Sequence, residues 1–113
     1  MRDPRFGEIW LVRNEDLGIP LEGLHLVLVL GGSSFKGGPV RIAPGSGSRR
    51  PAQDEIALPV DPPDCDPATA LTKHTRFRLN EARRIGREKL VRHVATLNEA
   101  RLKELMILRE QGL

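Results

Sequence analysis

Glycine and proline interrupt the first two thirds of the chain so often that long helices have no room there. The 113 residues include 11 glycines and 9 prolines, and short runs of apolar, aromatic and β-branched residues lie between them. The strands that these runs predict are residues 8–12, 24–30, 39–43, 55–60 and 71–79. Short strands at close spacing with Gly and Pro turns are typical of a small barrel or a sandwich.

The last third of the chain has a different pattern. Residues 80–90 are rich in Arg and Glu and contain a helix-prone piece at 81–84, and residues 91–95 predict one more short strand. A helix then follows Asn98, which can cap it, and Gly112 marks its end. Its apolar stripe is formed by Leu102, Leu105 and Met106, at helical spacing. We therefore predict one mainly β domain over residues 1–113 with a C-terminal α-helix.

The small net charge of +3 conceals an uneven distribution. Residues 1–71 hold 7 Lys and Arg against 10 Asp and Glu, a net charge of −3, whereas residues 72–113 hold 11 against 5, a net charge of +6. Much of the excess lies between residues 76 and 89. Such a basic segment favours an anionic partner, either nucleic acid or an acidic protein. The alternative is a solvated, Arg-rich surface whose charges pair within the chain.

A single cysteine and short apolar runs limit the classes of protein that remain. Cys65 cannot form a disulfide framework within the chain or a Cys-based zinc site, and it is compatible with a reducing cytosol. The longest apolar run, residues 24–30, is too short to cross a bilayer as a helix. The first residues contain no apolar stretch of the kind found in secretion signals. We therefore expect a cytoplasmic protein with no membrane partner.

Three stretches of the chain carry a resemblance to a known family. They are Arg-Phe-Gly-Glu-Ile-Trp-Leu-Val at 5–12, His-Leu-Val-Leu-Val-Leu at 25–30 with Phe35 and Val-Arg-Ile-Ala-Pro at 40–44, and the segment 90–105. In this order they resemble the bacterial MazF/PemK (Kid) family of toxin endoribonucleases. The resemblance implies the small SH3-like barrel of the MazF/PemK/CcdB toxin type, a homodimer, and a growth inhibitor neutralised by a cognate antitoxin peptide. Relative to this family, residues 80–89 form an insertion.

The resemblance also implies a reaction, the metal-independent cleavage of single-stranded RNA. In such a reaction the ribose 2′-OH attacks its own phosphate, so DNA is not a substrate. The protein must supply a base, an acid and a cation or donor for the charge on the phosphate. No cofactor and no metal are expected. Asp61, Asp64 and Asp66 lie close together in sequence, but the prolines among them favour a hydrated loop.

Family positions transfer to this chain only where its motifs match. The Arg of the family's second strand falls on His25, the Thr after Ala-Pro falls on Ser46, and the Ser that follows falls on Gly47. The family's Asp-Gln-x-Arg segment falls near residues 73–76, where Arg76 keeps its type. Loss of the first Arg removes the cation best suited to bidentate phosphate contact. His25 could act as acid or base in its place, and Ser46 could keep the hydroxyl donor.

These matches define a candidate site and leave alternatives open. The candidate catalytic residues are His25, Ser46, His74 and Arg76. The candidate RNA-binding residues are Lys36, Arg49, Arg50, Lys73 and Arg78. His25 could instead be a hydrogen-bonded histidine at the rim of the core, Ser46 a turn residue, and Arg76 a solvated side chain. Trp10 is expected in the core, or otherwise as a surface on which a base stacks. The chain could also keep the barrel without cleavage and act as a binding module for nucleic acid or protein.

Overall fold

The computed structural model describes residues 3–32, 37–47, 55–66 and 71–111. They form eight β-strands, several short 3-10 turns and one α-helix, so the prediction of a mainly β fold with a C-terminal helix is confirmed. The strands are β1 Glu8–Arg13, β2 Leu24–Gly32, β3 Val40–Ser46, β4 Ala57–Val60, β5 Cys65–Asp66, β6 Thr75–Arg78, β7 Arg83–Ile85 and β8 Leu90–Leu97, and the helix is α1 Glu99–Glu110.

The strands form one antiparallel sheet that curls into a half-barrel, which is compatible with a small β-barrel that carries a C-terminal helix. Its order is β4-β6-β3-β2-β1-β8-β5, and β7 pairs with β3 beside this path. One edge of β3 runs along β2, and two strands share its other edge. β6 pairs with Gly45 and Ser46, whereas β7 pairs with Val40, Arg41 and Ile42. β3 is therefore the central strand of the region described below.

Alternation along the strands builds an apolar layer on each face of the sheet. On one face, Ile9, Leu28 and Phe77 are fully buried, and Leu105 of α1 packs against this layer. On the other face, the layer is formed by Trp10, Val12, Val27, Val29, Val40, Ile42, Ile85 and Leu90, with Leu17 from the β1–β2 loop. Trp10 is 2% exposed, which confirms its prediction as a core residue.

The C-terminal helix begins as the sequence predicts. The Asn98 side chain accepts a hydrogen bond of 3.0 Å from the backbone N–H of Arg101 and thereby caps α1. Leu105 of the predicted stripe is 1% exposed, but Met106 is 41% exposed, so the apolar stripe is only partly covered. None of the helices in the described part of the chain combines the length and the apolarity that a membrane crossing needs.

Three predicted boundaries were wrong, and in each case contacts distant in sequence decide the outcome. Residues 83–84 of the helix-prone piece belong to β7, because the free edge of β3 offers ladder hydrogen bonds and Ile85 is buried opposite Val40. The predicted loop after β4 contains a 3-10 turn and the short strand β5, which pairs with β8. The predicted strand over 71–79 is confined to Thr75–Arg78.

Candidate active site

Three of the four predicted catalytic residues lie on one face of the sheet, where β3 ends. Ser46 is the last residue of β3, and it pairs with Arg76 of β6. On the opposite side of β3, Val27 pairs with Pro44. His25 and Ser46 are each two residues farther along these antiparallel strands, and alternate residues share a face. The fold therefore brings His25, Ser46 and Arg76 together across three adjacent strands.

His25 is anchored to the backbone of β3. Its Nε2 lies 2.5 Å from the carbonyl oxygen of Gly45. Because a carbonyl oxygen only accepts, Nε2 carries the proton of this hydrogen bond. Nδ1 is then the nitrogen that accepts a proton from another group, or that donates one when the ring is charged. His25 is thus half-buried and hydrogen-bonded at the rim of the core, and its Nδ1 is not used by the bond to Gly45.

The fourth predicted catalytic residue, His74, precedes Arg76 by two positions and so falls on the same face. Its Nδ1 lies 2.8 Å from Oδ1 of Asp61, the residue that follows β4. The carboxylate accepts, so Nδ1 carries the proton, and the neutral ring keeps a lone pair on Nε2. The His74 side chain is 12% exposed, whereas that of Asp61 is 51% exposed. Asp61 thus holds the ring in the tautomer that a general base requires.

Arg76 is placed on the expected face, but its guanidinium is engaged within the chain. Its Nε lies 3.0 Å from Oε2 of Glu55, and its Nη2 lies 3.1 Å from Oε1. The two side chains are 9% and 3% exposed. This two-point ion pair is therefore buried, and it ties the segment before β4 to β6. The alternative of a solvated Arg76 is wrong, and contact with a phosphate would require Arg76 to give up part of this pairing.

The predicted RNA-binding residues are in different situations. The Nζ of the exposed Lys73 lies 3.7 Å from where a Cβ on Gly47 would stand, so this ammonium lies beside the end of β3. Arg78 forms an ion pair of 2.7 Å with Glu81. Lys36, Arg49 and Arg50 lie outside the described residues. Lys73 is therefore the cation that the described structure brings to Gly47, next to Ser46.

Most of the basic residues between positions 76 and 89 are paired inside the molecule. In addition to the two pairs above, Arg87 pairs with Asp3 and Lys89 with Asp16, and Arg83 donates to the carbonyl oxygen of Leu17 over 3.1 Å. Four cations of the second half therefore pair with carboxylates of the first half, namely Arg76, Arg87, Lys89 and Arg101. This distribution favours the alternative of internally paired charges for most of the segment.

Of the three neighbouring aspartates, Asp61 contacts His74, and Asp64 makes contacts that hold its own turn and α1. Asp64 accepts from the backbone N–H of Asp61 over 2.8 Å and approaches Arg101 of α1 at 3.3 Å, while Asp66 lies on β5. Within residues 3–32, 37–47, 55–66 and 71–111, no three His, Cys, Asp or Glu side chains are grouped in a way that could hold a metal ion.

A third histidine belongs to the packing around Trp10. The rings of His93 and Trp10 are 5.6 Å apart, and the Trp10 indole donates over 3.1 Å to the buried carboxylate of Glu8. His93 Nε2 lies 3.7 Å from the same carboxylate. Because Trp10 is enclosed in this way, its ring is not a surface on which a base could stack.

Two functional partners were not identified from the sequence, Asp61 for His74 and Glu55 for Arg76. Both lie far along the chain from their partners, and only the β4–β6 register, with Val60 opposite Thr75, brings them near. On this face the site offers two imidazoles with defined tautomers and a hydroxyl, groups suited to proton transfer at a phosphodiester. No family model and no curated protein sequence matches the chain.

Proposed function

We propose that this protein is a metal-independent endoribonuclease that cleaves single-stranded RNA, a toxin of the MazF/PemK type with an antitoxin partner. The observation that carries the proposal is that His25 of β2 lies beside Ser46, and that His74 immediately precedes β6 on the other side of β3. Strands lie about 4.8 Å apart and His74 lies two residues beyond the level of Ser46, so the Cα atoms of the two histidines are roughly 12 Å apart. That spacing admits one phosphodiester between a base and an acid.

The tautomers suggest how the roles divide. His74 Nε2 has the lone pair and the carboxylate behind the ring that suit a base for the ribose 2′-OH. His25, when protonated, can donate from Nδ1 to the departing 5′-oxygen while Nε2 keeps its bond to Gly45. Ser46 can donate to a phosphate oxygen and so stabilise the charge that develops there. Lys73, whose ammonium lies beside Gly47, can contact a neighbouring phosphate of the strand. The products are a 2′,3′-cyclic phosphate and a 5′-hydroxyl.

The decisive experiment uses purified protein, a mixed single-stranded RNA and an excess of EDTA. We expect cleavage with cyclic phosphate ends, and no cleavage of the same strand carrying 2′-deoxy sugars, which lack the internal nucleophile. His25→Ala and His74→Ala should each lower the rate by roughly 100-fold or more, the usual contribution of a general acid or base. Intact RNA at high protein concentration would exclude the proposal.

A matched pair of lysine variants tests the cation. Lys73→Ala removes the ammonium beside Gly47, whereas Lys103→Ala removes an exposed lysine of α1 that pairs only with Glu99 of the same helix among the described residues. Cleavage should fall by roughly 10-fold or more in the first variant and remain unchanged in the second. Equal effects would show that Lys73 acts only through net charge.

One observation favours a second candidate, a barrel that binds RNA or an antitoxin-like protein without cleaving. Arg76, the residue that matches the family's arginine, is buried against Glu55. Arginine restored by His25→Arg separates the two candidates. A nuclease that uses His25 as its acid should lose cleavage in this variant, because an arginine does not donate its proton near neutral pH, whereas a binding module should cleave in neither protein and should bind RNA as well or better.

A further inference from the structure

Two exposed arginines stand directly opposite each other at the junction of β3 and β7. Arg41 pairs in register with Arg84, which places their Cα atoms about 5 Å apart and their side chains on the same face. Among the residues that the structure describes, neither side chain has a hydrogen-bonding or ionic partner. This contrasts with Arg76, Arg78, Arg87 and Lys89, each of which pairs with a carboxylate.

Such a pair opposes folding, since like charges directly opposite in a sheet repel. Proteins break local rules of this kind mainly at functional sites. The insertion itself creates the pair, because β7 is the strand that brings Arg84 to β3. Each of the two guanidinium groups presents a fork of donors whose geometry matches one phosphate group of a strand.

The space beside Arg41 is open on its other flank. Its partner on β2 is Gly31, which has no side chain, and a Cβ placed on Gly31 would meet no atom of the described residues within 4 Å. A register shift between Val29 and Gly31 marks a β-bulge at this point. Bulges are common next to functional sites, where they redirect neighbouring side chains. A ligand could therefore approach Arg41 past Gly31 without displacing a side chain of the described residues.

A flat cationic surface lies nearby. Arg41 lines a small cleft together with Arg109 and Phe6, and the guanidinium of Arg109 stands over the Phe6 ring at 4.5 Å from its centre. Held in this way, the guanidinium plane suits stacking of a nucleobase. A carboxylate pairs with the N–H edge of a guanidinium and does not stack on its face. The exposed face of Arg109 therefore favours a nucleic acid over an acidic protein as the ligand.

We infer that Arg41 and Arg84 form a phosphate-binding site for single-stranded RNA, with Arg109 as its stacking surface. Arg41 alternates with Ile42, whose side chain belongs to the opposite face, so the site lies on the α1 side of the sheet. The candidate active site lies on the other face. The site therefore would hold a part of the strand away from the cleavage position, and its existence does not depend on whether the protein cleaves RNA.

The test uses a fluorescent 2′-O-methyl RNA of about 12 nucleotides, a length that spans a typical single-strand site. This probe has the phosphates and bases of RNA but no free 2′-OH, so it binds without being cleaved. Arg41→Ala and Arg84→Ala should each weaken binding about tenfold, as expected for loss of a charge-assisted hydrogen bond. Each should also reduce the slope of log affinity against log salt by about 0.7.

Arg92→Ala is the matched control, because Arg92 is an exposed strand arginine on β8 with no ionic partner among the described residues. It should leave affinity nearly unchanged. Arg109→Lys keeps the charge but removes the plane, so it should weaken binding. The thermal midpoint of Arg41→Ala and Arg84→Ala should stay the same or rise, because the repulsion between the two is relieved.

Three results would overturn the inference. Equal loss in Arg92→Ala and Arg41→Ala would indicate diffuse attraction rather than a site. Arg41- and Arg84-dependent binding of poly-glutamate, without binding of the RNA probe, would assign the surface to an acidic protein. Unchanged affinity in the double variant Arg41→Ala/Arg84→Ala, with the fold intact by circular dichroism, would remove the site altogether. Failure of RNA cleavage, by contrast, would leave the binding result untouched.

Discussion

Asp61 fixes the tautomer of His74, the residue that we propose as the base. Asp61→Asn should free the ring, because an amide can present either a donor or an acceptor to Nδ1. We expect nitrogen-resolved NMR to show the Nδ1–H tautomer in the wild-type protein near neutral pH and a mixture of tautomers in the variant. Cleavage should fall by roughly 10-fold or more.

Asp66→Asn is the control for this change, since Asp66 is an exposed aspartate close in sequence, on β5. Its His74 signals should match those of the wild-type protein. A wild-type ring that already shows mixed tautomers would contradict the role assigned to Asp61.

The buried pair of Glu55 and Arg76 makes the stability of β6 depend on both partners. Removal of one partner leaves a buried charge without compensation, which typically costs about 3–5 kcal/mol. Glu55→Gln should therefore lower the free energy of unfolding by that order in urea titration. The double variant Glu55→Gln/Arg76→Met should recover much of the loss, because the charge itself is gone.

The comparison for Glu55→Gln is Glu99→Gln, which breaks the exposed pair with Lys103 on α1. Exposed helix pairs contribute roughly 0.3–0.5 kcal/mol. If the two single variants had similar effects, the Glu55 pair would be solvated in solution rather than buried.

Cys65 provides a prediction on pH. Burial, and next the charge of Asp64, raise the pKa of its thiol from the ordinary 9.0 to about 11. The folded protein therefore keeps its proton where the unfolded chain has lost it, so stability is fully present below pH 9 and falls as pH rises toward 11.

Urea titrations at pH 8 and pH 10.5 measure this loss. Cys65→Ala should remove most of the difference in unfolding free energy between the two pH values, while other groups that titrate in this range contribute equally to both proteins. Alkylation of Cys65 at pH 8 should likewise be slow in the folded protein and fast in urea. A rapid reaction without urea would contradict the burial of the thiol.

The docking of α1 on the sheet depends on Gly7, immediately before β1. Gly7 has φ of +86°, a conformation that other residues adopt only with strain, and a Cβ there would collide with Cδ1 of Leu102. Gly18 has φ of +74°, but a Cβ there would meet nothing within 4 Å. Gly18→Ala should lose about 1–2 kcal/mol from strain alone.

Gly7→Ala should lose more than Gly18→Ala, by about 1–3 kcal/mol, because overpacking is added to strain. Chemical denaturation of the two variants measures the difference. Equal losses of unfolding free energy in the two variants would mean that Leu102 can move away from the added Cβ at little cost. Leu102 would then not fix the position of α1 over β1.

The sequence pattern predicted elements whose signal is local and missed those created by pairing. β1, β2, β3 and the Asn98 cap follow from apolar runs, turns and capping chemistry. β7 could not be predicted, because Arg83 and Arg84 are helix-prone and adopt a strand only where β3 offers an open edge. The short β5 has the same origin in its pairing with β8.

For the candidate site, too, some features could be predicted from the sequence and others could not. His25, Ser46 and Arg76 were named from the family resemblance. Their shared face could not be predicted, because the predicted third strand ends at residue 43, whereas β3 continues to Ser46 and pairs there with Arg76. Asp61 and Glu55 could not be predicted either, because each meets its partner only through the β4–β6 register. Lys36, Arg49 and Arg50 lie outside the described residues, so their roles as RNA contacts stay predictions.

The ion pairs within the molecule reduce the number of basic residues that we expect to contact RNA phosphates. A count of basic residues would assign a phosphate contact to each cation between positions 76 and 89. Arg78 and Lys89 instead pair with Glu81 and Asp16. A cation that is already paired releases few counterions from RNA when the complex forms, because a carboxylate must be displaced first.

The double variant Arg78→Ala/Lys89→Ala should therefore leave the salt dependence of binding to the 2′-O-methyl RNA nearly unchanged. The measurement is the slope of log affinity against log salt between about 50 and about 300 mM, where two independent phosphate contacts would contribute about 1.4. Arg41→Ala/Arg84→Ala, which also removes two positive charges, should reduce the slope by that amount. If both double variants reduced it equally, the number of charges rather than their pairing would control the affinity. Ion pairing with carboxylates would then have no influence on which cations of the chain contact RNA.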